Sequence, residues 1–112
     1  MITGTQFFRG GVVDDLSGGD KQLYKNSDKV QVFDHSTSRN LDLPDATKFA
    51  EGGVHFVVIN ESGNVLNIRD YGDNVLETLN AIGQAAIICL MDNSSQNGEW
   101  LIKIIGGGIG PS

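Results

Sequence analysis

Residues that supply cross-links or reactive groups are scarce in this sequence of 112 residues. A single cysteine excludes a disulfide framework within one chain. Lys and Arg number 8 against 14 Asp and Glu, giving a net charge of −6, and no basic stripe is present that would bind nucleic acid. The longest uncharged apolar stretch, residues 81–91, is too short to cross a membrane, and the N-terminus lacks signal-peptide features. We therefore expect a protein made in a cytoplasm with neither membrane nor nucleic acid as a partner.

The composition favours strands over helices. Val and Ile together supply 19 residues and Ala only 5, while 15 Gly and 9 Asn provide turn formers. A mass of 12.0 kDa is sufficient for one domain with one modest core. The sequence therefore predicts a single all-β domain.

Alternation of polar and apolar residues predicts the strands. Residues 29–33, Lys-Val-Gln-Val-Phe, alternate between polar and apolar, as in a half-buried strand. Seven strands are expected, over residues 29–33, 39–43, 54–60, 65–70, 75–79, 84–91 and 99–105. We expect residues 54–60 and 65–70 to form a hairpin, and residues 44–50 to hold one short helical turn. Strand centres ten to fifteen residues apart are typical of a small antiparallel β-sandwich.

Three segments are predicted along the chain. Residues 1–28 are interpreted as an extended N-terminal arm and loop, with an ordinary first strand plus loop as the alternative. Residues 29–105 form the sandwich module. The tail, residues 106–112, is too rich in glycine to be fixed by its own propensity.

The conventional nucleophile and base candidates are few. Cys89 lies in an apolar strand, where a thiol behaves as a small buried hydrophobe. His35 and His55 have no Cys or His at metal-ligand spacing. We expect no enzyme, no catalytic residues, no metal and no cofactor, with an enzymatic role through Cys89 as the least favoured alternative.

Acidic turns offer the other candidate site. Asp70, Asp73 and Asn74 could hold a calcium ion, but they do not match an EF-hand loop. Asp and Asn favour turns because they hydrogen-bond to their own backbone, so the turn interpretation is preferred. Trp100 could stack on a sugar ring, yet its strand neighbours favour a core or interface position.

An ordered set of short motifs covers about sixty residues. Leu43-Pro44-Asp45-Ala46-Thr47 is followed by an apolar strand ending in Asn60 and by Ser62-Gly63-Asn64. The set closes with Asp92-Asn93-Ser94 and Gly98-Glu99-Trp100. This order resembles a small β module of tailed-bacteriophage virion proteins, which include capsid decoration (cement) proteins, head fibres and tail-fibre segments.

The resemblance implies a jelly-roll-like sandwich that assembles as a homotrimer on a virion. We expect a non-enzymatic capsid decoration protein that binds the major capsid protein on the outer head surface and stabilises the shell. The alternative is a tail- or head-fibre adhesin module that binds a host surface glycan through exposed aromatics such as Tyr71.

Two groups of residues carry these expectations. The first builds the turns and core of the module: Pro44, Asp45, Gly63, Asn64, Asp92, Asn93, Gly98 and Trp100. Within it, Pro44 ends a strand, Asp45 caps the turn after it, and Gly63 and Asn64 are expected at positive φ. The second is expected to contact the capsid through paired apolar side chains in the arm: Phe7, Phe8, Arg9, Val12 and Val13.

Overall fold

The described part of the chain is built from strands and turns. A computed structural model describes residues 13–106. Its strands are β1 (Val13–Asp14), β2 (Lys21–Gln22), β3 (Val30–Phe33), β4 (Arg39–Asp42), β5 (Val54–Asn60), β6 (Leu66–Arg69), β7 (Val75–Leu79), β8 (Gln84–Asp92) and β9 (Glu99–Ile105). One 3-10 turn, Ala46–Lys48, lies in the predicted place between β4 and β5 in this part of the chain. The seven predicted strands correspond to β3–β9, because alternation locates a half-buried strand well.

The strands form two sheets packed face to face. Sheet A has the order β1-β3-β5-β8-β9, and sheet B has the order β2-β4-β6-β7. Inward side chains of both sheets fill one core, which includes Phe33, Phe56, Ile68 and Ile88. The prediction of a small all-β sandwich is therefore confirmed.

Strand direction departs from the antiparallel prediction. The pairs β1–β3, β3–β5, β2–β4 and β4–β6 are parallel. Within residues 13–106, antiparallel pairing is limited to β5–β8, β6–β7 and β8–β9. The sandwich is therefore mixed, and its first six strands do not follow jelly-roll pairing.

The first six strands alternate between the two sheets, so this part of the chain winds as a flattened coil. Val13 lies beside Val32, and Val30 lies beside Val57, so successive turns take 19 and then 27 residues. The predicted hairpin between residues 54–60 and 65–70 is wrong, because β5 belongs to sheet A and β6 to sheet B. Alternation marks a strand but does not encode the direction or identity of its neighbour.

The described part of residues 1–28 belongs to the sandwich. β1 and β2 each add an edge strand in parallel to a sheet. Leu16 lies between β1 and β2, and Leu23 follows β2; both are buried in the common core. The boundary expected at residue 28 is therefore not a boundary in the structure, because these two leucines would be exposed without the sandwich.

The turns that close the module use local hydrogen bonds more than unusual backbone angles. Asp45 Oδ1 accepts from the backbone N–H of Thr47 at 3.0 Å and so caps the 3-10 turn. Asp92 Oδ1 accepts from the N–H of Ser94 at 2.8 Å in the same way. Gly63 and Asn64 are absent from the described residues with positive φ, so that part of the turn prediction is wrong.

Gly98 is the turn residue that the fold requires as glycine. Its φ is +67°, and a Cβ there would overlap the Cβ of Ala46 and lie 3.0 Å from the carbonyl oxygen of Asp92. The close approach lets the β8–β9 turn pack on the 3-10 turn, where the N–H of Ala46 donates to the carbonyl of Gln96 at 2.9 Å.

Replacing Leu23 tests whether the N-terminal strands belong to the fold. Leu23 is 0% exposed, so Leu23→Ala should lower the free energy of unfolding by about 2–5 kcal/mol. Its neighbour Tyr24 is 61% exposed, and Tyr24→Ala should change stability by less than about 0.5 kcal/mol. Urea unfolding followed by circular dichroism measures both. Equal, small effects would show that residues 13–28 are dispensable.

Replacing Gly98 tests the close approach of the two turns. Gly98→Ala should destabilise the protein by about 2–5 kcal/mol, since it combines an unfavourable φ with overlap. Gly63→Ala is the matched control, because a Cβ at Gly63 meets no atom within 4 Å. Thermal unfolding should separate the two variants; a Gly98→Ala protein as stable as the control would contradict this packing.

Candidate functional site

The outer face of sheet A is apolar. On β5, Phe56 and Val58 are buried inward, so Val57 and Ile59 point outward. The register carries this face across β3, β8 and β9, since paired residues lie on the same side of a sheet. We call the following set the apolar face: Val30, Val32, Val54, Val57, Ile59, Ala85, Ile87, Cys89, Met91, Leu101 and Ile105.

The apolar face is open to solvent mainly along β9 and at the end of β8, whereas Ile59, Ile87 and Cys89 are half-buried and Val32 is buried. Met91, Leu101 and Ile105 are 53%, 56% and 45% exposed. Strands β3, β5, β8 and β9 together are about 20 Å wide and the longer ones about 20 Å long, on the order of 400 Å². This footprint, which includes half-buried side chains, is comparable in size with the largest apolar patch of a typical monomer, and such patches are often functional.

Charge on the outer side of β9 is confined to two positions four residues apart. Lys103 lies opposite Ile87 of β8, between Leu101 and Ile105. Glu99 lies on the same side at the start of β9 and is exposed. The apolar face therefore has one cation within it and one anion at its border.

The outer face of sheet B is more polar across β4 and β6, while its edge strand β7 exposes Val75 and Leu76. Asn67 Nδ2 donates to Asn40 Oδ1 at 3.1 Å, and Thr78 Oγ1 donates to Asn67 Oδ1 at 2.9 Å. Asn40 in turn donates from its backbone and side chain to Asp20, at 2.9 and 3.0 Å. This chain of four side chains, which we call the polar ladder, crosses the whole sheet.

Charged groups continue the polar surface beside the ladder. Arg69 donates to both carboxylate oxygens of Asp42, at 2.6 and 2.9 Å, and it also lies near Asp20 and Asp73. The hydrogen bond to Asp42 raises the pKa of Arg69, and the hydrogen bonds from Asn40 lower the pKa of Asp20. The polar side chains on sheet B thus bond to one another within the chain. A surface made of such groups is suited to contact with water.

Both histidines have structural contacts. His35 is buried at a corner between the sheets, with Nε2 3.0 Å from the carbonyl oxygen of Val65 and the ring 3.4 Å from Ser62 Oγ. The pair is closed to solvent, because Ser62 is buried as well. His55 Nε2 lies 2.7 Å from the carbonyl oxygen of Ala50, and its ring packs edge-on against Phe49 and Trp100.

Cys89 lies on the apolar face. It is half-buried and paired with Val54 on one side and Leu101 on the other. As expected, Cys89 has apolar neighbours on its strand. Its thiol nevertheless lies outside the core, because Ile88 and Leu90 occupy the inward positions of β8. This places a single, half-buried thiol within the apolar face.

The acidic turn at Asp70 is organised by hydrogen bonds. Asp70 Oδ1 accepts from the backbone N–H groups of Gly72 and Asn74, at 3.0 and 2.9 Å, and both of its oxygens accept from Asn74 Nδ2. Asp73 has φ +68° and faces Arg69. Residues 13–106 contain no group of three or more acidic, histidine or cysteine side chains arranged to hold a metal ion.

A shallow depression at one end of the sandwich has a basic lining. It encloses about 450 Å³ and lies against the residues Lys25, Ser27, Lys29, Lys48, Phe49, Ala50, His55 and Phe56. The described ion pairs involve only Lys21 and Arg69 as cations, so its three lysines have no carboxylate within 4.0 Å in residues 13–106. On a chain of net charge −6, these three lysines form a local cluster of positive charge.

The predicted capsid contacts are mostly outside the described residues. The structure does not describe four of them, Phe7, Phe8, Arg9 and Val12, so their contact with a capsid stays a prediction. Val13 begins β1, the edge strand of sheet A, and lies beside Val32 of the apolar face. The chain that precedes Val13 therefore enters the fold at the edge of sheet A.

The remaining module residues are brought together near the β8–β9 turn. Asn93 Nδ2 donates to the carbonyl of Phe49 at 2.9 Å, and Trp100 packs edge-on against Phe49 and is half-buried. Pro44 follows β4 and is buried. Gly63 and Asn64 are not part of this group, because they lie in the β5–β6 connection.

Sequence reasoning missed the apolar face, although a signal was present. Residues 85–91 are uninterrupted by a polar side chain, and a strand that is apolar on both sides is expected to be covered on both sides. The polar ladder was missed because its members are distant in sequence.

Comparison with protein-family models, curated proteins and solved structures finds no match to this chain. Within residues 13–106, no helix is long and apolar enough to span a bilayer.

Proposed function

We propose that this protein is a non-enzymatic bacteriophage capsid decoration protein that binds the outer head surface through its apolar face. The observation that carries the proposal is the unequal polarity of the two sheets. The outward side of sheet A is apolar, and Lys103 is the charged residue that lies among its apolar side chains. The outward side of sheet B carries the polar ladder and Arg69. One side is suited to a protein surface and the other to water.

The size of the apolar face supports binding in many copies. About 400 Å² is below the roughly 800 Å² per partner of a standard stable interface, so a single copy is expected to bind weakly. A repeating shell offers many equivalent sites, and linked copies gain affinity through effective concentration. A homotrimer, implied by the motif resemblance, stays a prediction.

Location on the particle tests this function directly. Gold-labelled antibody against the chain, applied to intact particles of the phage that encodes it, should label heads in many copies. Label restricted to the tail or its tip, or a lack of label on particles, would contradict the decoration role.

Two substitutions on the apolar face test which surface docks. The double variant Ile59→Thr/Ile87→Thr keeps β-branched side chains on β5 and β8 but removes apolar area. Added to heads assembled without the protein, it should reach half-saturation at a concentration about tenfold higher or more than the unmodified protein.

Val75→Thr is the matched control for that experiment. Val75 is exposed on β7 of sheet B, so its replacement by Thr should leave head binding unchanged. Equal occupancy by the face variant and this control would place docking elsewhere, with the segment that includes Phe7 and Phe8 as the next surface to test.

The lysine-lined depression favours a second candidate function, a fibre module that binds an acidic host glycan. Lys25, Lys29 and Lys48 would face carboxylate or phosphate groups, and the rim contributes the apolar ring of Phe49 for a sugar face. Tyr71, the aromatic first expected to contact a glycan, is not among the lining residues of this depression.

An acidic polysaccharide tests this candidate. Calorimetric titration with hyaluronate fragments should show binding that weakens at high salt, with neutral dextran giving none. The triple variant Lys25→Gln/Lys29→Gln/Lys48→Gln should lose this binding by about tenfold or more, while Lys103→Gln should retain it. Absence of binding, or equal loss in the control, would remove the candidate.

A further inference from the structure

Strand β9 is an open edge of sheet A. It is the last strand in the sheet order, and among the described residues its backbone pairs with β8 alone. Its seven residues extend over about 23 Å. A long edge with exposed apolar side chains is a template for another strand, and natural proteins usually interrupt such edges.

From this edge we infer that two copies of the chain pair through antiparallel β9 strands about a two-fold axis at Leu101, which extends sheet A across the dimer. The inference does not depend on the function proposed above, and it gives a two-fold dimer in place of the homotrimer that the motif resemblance implies. The partner is a second copy because β9 is self-complementary in one register. In that register Leu101 lies opposite Leu101 of the second copy, Trp100 opposite Ile102, and Glu99 opposite Lys103.

A two-fold axis at any single residue of β9 pairs inward side chains with inward ones and outward side chains with outward ones. Among the registers that such axes produce, the charges favour the one with the axis at Leu101. An axis at Ile102 would place Lys103 opposite Leu101 and leave Glu99 opposite Ile105. An axis at Lys103 would bring two lysines face to face, which is unfavourable for directly opposed residues. The axis at Leu101 alone forms two Glu99–Lys103 pairs, one on each side of the axis.

The apolar side chains of β9 favour the same register as the charges. Trp100 and Ile102 are half-buried on the inner side of β9, where they border the core without being enclosed by it. In the inferred register each covers the other across the axis, so both sides of the new strand pair carry apolar contacts. The apolar face would also continue across the axis, because Leu101 lies on that side.

Charge reversal tests the register. Sedimentation velocity over a concentration series should give a dimer with twice the 12.0 kDa chain mass. Glu99→Lys and Lys103→Glu should each weaken dimerisation by about tenfold or more, because two attractive pairs become repulsive. The double variant Glu99→Lys/Lys103→Glu should restore it, since the pairs are re-formed with exchanged signs.

Glu61→Lys is the control for net charge. Glu61 is exposed in the β5–β6 connection, and its reversal changes the chain's charge by the same amount as Glu99→Lys. It should leave dimerisation unchanged. Circular dichroism and thermal unfolding of every variant establish that each is folded. A monomeric or trimeric unmodified protein, or a double variant without recovery, would overturn the inference.

Cross-linking tests the position of the axis independently. In a Cys89→Ser background, Leu101→Cys should be joined efficiently to its counterpart by a short bifunctional maleimide. Ile105→Cys should not be, because the two copies of residue 105 would be about 26 Å apart. Cross-linking of residue 105 in preference to residue 101 would contradict a two-fold axis at Leu101.

Discussion

The parallel stacking of successive turns of the chain determines most of this structure. Residue 40 lies beside residue 67, and residue 30 beside residue 57, so the second and third turns stay in register on both sheets. Because side chains alternate along a strand, this register repeats the same polarity from one strand to the next. Asn40 therefore meets Asn67 on one outer face, while Val30 meets Val57 on the other.

Parallel stacking requires the chain to cross between the sheets at each half-turn, and the crossings contain buried polar groups. Asn60 Oδ1 accepts from the backbone and hydroxyl of Ser62, at 3.0 and 3.1 Å, while Asn64 Nδ2 donates to the carbonyl of His35 at 2.9 Å. Every described buried side-chain polar atom has a hydrogen-bond partner. A missing partner at such a corner costs about 1–3 kcal/mol, so the contacts of His35 and Ser62 stabilise the fold.

The sequence was sufficient to locate the seven strands β3–β9 but not the two short strands β1 and β2, and it did not indicate how the strands pair. Residues 29–33 alternate and residues 54–60 form a nearly continuous apolar run, but neither pattern distinguishes a parallel neighbour from a hairpin partner. A signal for the pairing does exist, since Asn40-Leu41-Asp42 and Asn67-Ile68-Arg69 repeat a polar–apolar–charged pattern 27 residues apart. The candidate surfaces were harder to predict, because the apolar face and the polar ladder each combine side chains from at least three strands. Gly98 was predictable as a turn residue, but its contact with Ala46 depends on the folded arrangement of two turns.

The two sheets differ in length as well as polarity, and the combination has a physical consequence for binding. β5, β8 and β9 have seven, nine and seven residues, whereas β4, β6 and β7 have four, four and five. The larger outer area is therefore the apolar one. A protein with one large apolar face and one hydrogen-bonded polar face binds an extended surface in a single orientation. In the capsid-bound state that we propose, the polar ladder would face outward, where Asn40, Asn67 and Thr78 offer little to a further layer of protein. Coverage would then stop at one layer, as a coat of defined thickness requires.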